Sequence, residues 1–205
     1  MKAADGGLHP QSFFTVLAMT CHRLILALSL AATFSATAAL AEGLPGPRPF
    51  DAMRGTCSDF AIDISRETQA WASGNIVALA ASPTPTSGST LSPGVVTRLT
   101  LIPQSDVQFP VSPEQDRNAQ DRFAGHVNLN VPHAGLWRVA ASNGVWFDAI
   151  VDGTRVVSSA FEMQTGCTAP FKVVVFALRQ GPIGLQLNGS PTETVELVLL
   201  PWFGQ

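Results

Sequence analysis

GLWRVAASNGVWFDAIVDGTRVVSSAF, residues 135–161, is the stretch whose reading decides the fold. Two glycine-containing dipeptides, Asn143-Gly144 and Asp152-Gly153, divide it into strand-length runs of Val, Trp, Phe, Ile and Ala. β-Branched and aromatic side chains suit a pleated, half-buried surface. Asn-Gly and Asp-Gly suit the type I′ turn, whose two central residues both need positive φ. The dipeptides therefore predict a three-stranded antiparallel meander over 136–142, 145–151 and 154–161. In that register Ala141 faces Trp146, Val139 faces Asp148, and Ile150 faces Arg155. Alternation then places Trp137, Val139, Ala141, Trp146, Asp148 and Ile150 on one face. Asp148 and Arg155 become diagonal neighbours within salt-bridge reach.

The same grammar extends outward. Apolar runs bounded by turn residues occur at Val95–Ile102, Val107–Phe109 and Phe123–Val131 before this stretch. Others follow it at Phe171–Leu178, Ile183–Leu187 and Thr194–Leu200, with Gly181-Pro182-Ile183-Gly184 expected to turn the first pair. Ile76–Ala81 reads as an edge strand. Helical spacing and Ser65 as an N-cap, with Glu67 in the first turn, predict a helix near 65–73. Residues 82–93 and 112–121 are too polar to bury and predict loops. The sum is an antiparallel β-sandwich or jelly roll of about eight or nine strands, with one short N-terminal helix.

Residues 1–41 carry the parts of a secretory signal peptide. His22 and Arg23 precede an uncharged run, Leu24 to Leu40, which closes on Ala39-Leu40-Ala41. Met1 to Ala18 match no part of such a signal, so Met19 is the expected initiator. Cleavage after Ala41 leaves an extended, Pro- and Gly-rich lead-in over 42–56 and a single β-sandwich domain over 57–205. The expected location is the periplasm or the exterior, with no membrane span after cleavage.

That product has 164 of the 205 residues, enough for one sizeable core. Nine Arg and Lys172 stand against fourteen acidic residues, a net charge of −4 with His neutral. Nucleic acid and anionic membrane surfaces both need a basic footprint, so neither is an expected partner. Cys57 and Cys167 are an even pair bound for an oxidising compartment and are expected to form a disulfide. Closing so long a loop stabilises by ~4 to 5 kcal/mol in the chain-entropy account.

The segment GLWRVAASNGVWFDAIVDG, Cys167 with FKVVVFAL, GLQLNGS and VELVLLP resemble a group of small exported proteobacterial β-sandwich proteins. The spacing Cys57-x-x-Phe60-x-x-Asp63-x-x-x-Glu67 matches that group as well, and the likeness covers most of 57–200. More distantly, the β region resembles the pre-peptidase C-terminal jelly-roll domain. The resemblance implies a fold and no established activity. Some members carry a homogentisate dioxygenase label, which would imply non-haem iron held by two His and one carboxylate. His126 and His133 are the two histidines beyond residue 41, so such a site would use both. By parity His126 shares a face with Asn128 and Asn130 and is expected to face solvent, while His133 falls in a turn.

No G-x-S-x-G elbow and no cofactor fingerprint is present. Asp148 stands out, since a carboxylate in an apolar strand needs a partner. It is either a structural partner of Arg155 or a ligand contact beside Trp146 as a stacking platform. Trp137, Trp146 and Trp202 read as core or as a sugar-binding surface. Glu114, Asp116, Asn118 and Asp121 could offer oxygen ligands to calcium, though without the glycine of an EF-hand loop. Two function classes remain. One is an exported, non-enzymatic module binding an envelope protein, a polymer or a glycan, with Trp146, Asp148 and Arg155 as candidate contacts. The other is a small metal-dependent oxygenase using His126 and His133. The lack of a converging His, Asp and Glu cluster in the sequence favours the first.

Overall fold

The computed structural model describes residues 43–85, 87–115 and 118–203; the signal-peptide and initiator expectations lie outside the described residues. In chain order the elements are helix α1 (Ser65–Ala72) and strands β1 (Ile76–Ala80), β2 (Thr90–Leu91), β3 (Val96–Thr100), β4 (Ile102–Pro103), β5 (Phe123–Val131), β6 (Gly135–Ala141), β7 (Trp146–Val151), β8 (Thr154–Val156), β9 (Ser158–Met163), β10 (Lys172–Leu178), β11 (Gly181–Ser190) and β12 (Thr194–Pro201). They form two sheets. The first runs β1-β3-β12-β6-β10-β9; the second runs β2-β5-β11-β7-β8, with β4 also pairing along β5. The inner layers β3-β12-β6-β10 and β5-β11-β7-β8 are the two four-stranded sheets of a jelly roll.

Strand number exceeds the eight or nine read from sequence. β2 and β4 have two residues each, and the run 154–161 splits at Val157, which is 82% exposed where the chain leaves the second sheet for the first. The sandwich is also not wholly antiparallel, because β1 runs parallel to β3 and β2 parallel to β5.

Asp152-Gly153 forms the turn its residues predict, with φ of 50° and 74° and Ile150 opposite Arg155. Asn143-Gly144 does not. β6 lies in the first sheet and β7 in the second, so the chain crosses the sandwich here without positive φ at either residue. The Asn143 side chain supplies the competing structure: its Oδ1 accepts from the Val145 N–H at 2.9 Å, and its Nδ2 donates to Ser190 Oγ and Thr192 Oγ1 at 3.2 and 3.0 Å. Crossing lets β6, whose side chains are buried on both faces, sit between β12 and β10 with both faces covered.

That crossing corrects the face map. Trp137, Val139 and Ala141 point into the inter-sheet core with Val145, Phe147 and Ala149. Trp146, Asp148 and Ile150 therefore take the opposite, outer face of β7. Three smaller expectations change as well. Gly181-Pro182-Ile183-Gly184 is no turn but the start of β11, in the sheet opposite β10. Val107–Phe109 has no strand. Ser65 is the first helical residue rather than the cap, and its backbone N–H is held by Asp63 Oδ1 at 2.9 Å.

Two apolar layers result. One lies between the sheets around Trp137, Leu99, Leu129, Phe176 and Leu197. The other lies on the outer face of the first sheet, where Ile62, Ile64 and α1 cover Ala140, Val173, Val175 and Val198. The lead-in belongs to this cover: residues 50–53 form a 3-10 turn and Met53 is buried. Cys57 and Cys167 form the disulfide, with Cα atoms 4.8 Å apart. Gly166 is required beside it, since a Cβ there would come within 2.7 Å of the Gly55 carbonyl oxygen. No helix of the described residues is long and apolar enough to cross a membrane.

Candidate binding site

The outer face of the second sheet carries a strip of polar side chains: His126 on β5, Gln186 and Asn188 on β11, and Asp148 on β7. All four are buried. Their cover is the irregular segment 104–115, which lies across the sheet as a strap and meets these side chains with its own main chain. His126 Nε2 bonds the Gln108 carbonyl at 2.8 Å, Gln186 Nε2 donates to the Val111 carbonyl at 3.0 Å, and Asn188 Nδ2 donates to the Gln115 carbonyl at 2.7 Å. In return Gln104 Oε1 accepts from the Gly189 N–H at 2.6 Å. A loop without a ladder must satisfy its carbonyls somewhere, and outward-facing amides do so here.

Asp148 is the hub of the strip. Its Oδ1 accepts from Trp146 Nε1 at 3.0 Å, and its Oδ2 accepts from Gln186 Nε2 at 3.0 Å and the Glu114 N–H at 3.2 Å. Arg155, opposite Ile150, reaches Asp148 diagonally with Nε 3.6 Å from Oδ1, and its Nη2 donates to the Ser112 carbonyl. Trp146, Asp148 and Arg155 are thus brought together, and Asp148 fixes both the indole and the strap.

Beside this hub the sandwich opens. β8 pairs with β7 only at 149–151, so the Trp146 end of β7 forms one lip of a gap whose other lip is β9. A cleft of about 370 Å³ occupies it, walled by Phe50, Trp146, Phe161, Met163 and Phe171, with Lys172 at its floor. That volume is at the small end of the range for ligand pockets. Lys172 is buried, its Nζ 4.2 Å from the Phe147 ring centre and 5.4 Å from that of Trp146. Aromatic faces attract an ammonium, which holds a cation inside a largely apolar opening that Gln115 also lines.

His126 is not solvent-facing. The strap covers it, and burial lowers its pKa from the ordinary 6.5, with the Gln108 carbonyl opposing that shift. His133 is exposed in the turn after β5, its ring 4.9 Å from Trp137. Five residues of extended strand, about 16 Å at the usual rise, lie between His126 and the end of β5, too far for shared ligation. The donor set does not fit an iron site. Among the described residues no three His, Cys, Asp or Glu come together as metal ligands, and Asp116 of the acidic loop lies outside them. Of the other tryptophans, Trp137 is core and Trp202 packs beside the N-terminal cover, so no three-tryptophan surface forms.

Sequence reasoning passed over Gln186, Asn188 and Lys172. Gln186 and Asn188 do carry a signal, as polar residues at alternating positions in Leu185-Gln-Leu-Asn188; their covering loop does not. Compared with protein-family models and with curated proteins, the chain matches none.

Proposed function

We propose that the protein is an exported, non-enzymatic β-sandwich module that binds a partner at the cleft beside Trp146, the partner being an envelope protein, a polymer or a glycan. The observation that carries this reading is the cleft itself: aromatic walls, a buried lysine at the floor, and a neighbouring indole fixed by Asp148. Rigid aromatic anchors beside a few oriented polar groups are what binding sites use to gain affinity at small entropic cost. The disulfide supports export, since such bonds persist in oxidising compartments.

The test is retention from envelope extract and on isolated cell-wall glycan, comparing the wild type with Trp146→Ala and Phe161→Ala. Loss of retention in both variants, with unchanged melting, supports the reading. Equal retention by all three contradicts it. Sequencing of the exported protein's N-terminus tests the compartment; it should begin at Glu42.

A further inference from the structure

The edge of a sheet presents a row of main-chain N–H and C=O groups, and natural proteins shorten, charge, bend or cover such edges. Each of the two sheets has two. In the second sheet both are short, two residues in β2 and three in β8. In the first sheet, β9 is bordered by the N-terminal cover: the Met53 and Gly55 carbonyls accept from Thr165 and Gly166 just past the strand, and Glu162 within it accepts from the Ala61 and Ile62 N–H groups.

Among the described residues, nothing gives β1 any of these protections. Its five residues, Ile76-Val77-Ala78-Leu79-Ala80, contain no charge and no proline, and they pair with β3 without a bulge. Val77 is 43% exposed, and Ala78 and Ala80 are exposed beside it. Ala81 N–H donates to the Thr100 carbonyl at 2.8 Å while Ala80 sits opposite Thr100, so the main-chain groups of residues 77, 79 and 81 face β3. Those of Ile76, Ala78 and Ala80 face outward. The Ala80 carbonyl accepts from Ser89 Oγ at 3.1 Å, which leaves Ile76 and Ala78 to present the edge.

We infer that this edge pairs antiparallel with β1 of a second copy about a two-fold axis near Ala78, joining the two first sheets into one. Charge argues for a second copy over a foreign strand. Residues 75–82 carry no charge, so self-pairing sets no like charges opposite one another. The nearest charged side chain on the neighbouring strand, Arg98 opposite Ala78, is already paired with Glu196 at 2.8 Å. An acidic or basic segment would find no counter-charge there. Small Ala78 and Ala80 side chains let the strands approach, and an isologous contact closes on itself rather than growing a fibre. Two five-residue strands bury little area, so the dimer belongs to the weak, concentration-dependent class.

Sedimentation velocity of the purified protein over a concentration series up to about 0.5 mM tests the inference. The wild type should pass from monomer to dimer. Ala78→Pro removes an outward N–H while sparing the ladder to β3, a position where an edge strand tolerates proline. It should weaken the dimer at least about tenfold with an unchanged circular dichroism spectrum. Val77→Lys, which sets like charges near the axis, should do the same and decides the matter if the proline variant fails to fold. A wild type monomeric throughout, or a dimer surviving in a folded variant, overturns the inference.

Discussion

The two outer faces of this sandwich are both covered by chain outside the sheets, a segment with helix α1 on one and an irregular strap on the other, and both covers are anchored on buried polar side chains projecting from strands. The anchors differ in kind. On the first sheet the cover, residues 48–72, is held by a disulfide, by Glu162 taking the Ala61 and Ile62 N–H groups and Arg48, and by Gln164 bonding Gly55, Ala52 and Asp59. Beneath it Arg138 Nε lies 2.8 Å from Glu67 Oε1, both buried. On the second sheet the strap is held by neutral amides, one imidazole and the Asp148–Arg155 pair, with no covalent link described. The disulfide and the buried charges of Glu162, Arg138 and Glu67 around an apolar layer should keep the first cover closed short of global unfolding. Mostly neutral anchors over a polar strip should let the strap open at smaller cost, and the cleft lies at its end.

The largest expected effect tests the first cover. Arg138→Met strands the Glu67 carboxylate in a buried site and should cost about 3–5 kcal/mol in urea denaturation. Replacing the pair together, Glu67→Leu with Arg138→Met, should recover most of that loss. Burial raises the Glu67 pKa above its ordinary 4.5, with Arg138 opposing the shift. Its proton is therefore held more tightly in the folded chain, and its stabilising contribution is full below 4.5 and lost as pH rises through the folded value. Arg138→Met removes the opposing charge, so the variant's deficit should be larger at pH 7 than at pH 4.

Next comes the covalent anchor. Replacing Cys57 and Cys167 with Ala should cost about 2–5 kcal/mol and raise amide exchange over 55–72 before the strap responds. Smaller again is Asp148→Asn, which breaks the charge pair and offers the Trp146 and Gln186 donors a weaker acceptor. About 1–3 kcal/mol is expected, read as a lowered urea midpoint. A loss comparable to that of Arg138→Met would erase the distinction between the faces.

The smallest effect is in pH. Folding lowers the His126 pKa, so its contribution is present above 6.5 and lost as pH falls through the folded value. Exchange over 104–115, corrected for intrinsic rates, should accelerate as pH falls below 6.5 in the wild type and lose that dependence in His126→Gln.

What could be read in advance follows the same division. Strands such as 123–131 carry their own periodicity and flanking turns, and were legible. So were the helix and the Asp148–Arg155 diagonal, because the Asp152-Gly153 turn fixes that register locally. The Asn143-Gly144 crossing was not, since its outcome depends on which strands flank β6, far off in sequence. Nor was the burial of His126 and Asp148 under one strap. A polar residue at an outward position reads as solvated unless the covering loop is known, and residues 104–115 hold these two with main-chain groups that any sequence possesses, the Gln108 carbonyl for His126 and the Glu114 N–H for Asp148.

Native-state hydrogen exchange at pH 7, followed through a series of low urea concentrations, tests the contrast between the two covers most directly. The strap, 104–115, should open at markedly lower urea than the segment 59–72, which should exchange only with global unfolding. Equal protection of both segments would contradict the account.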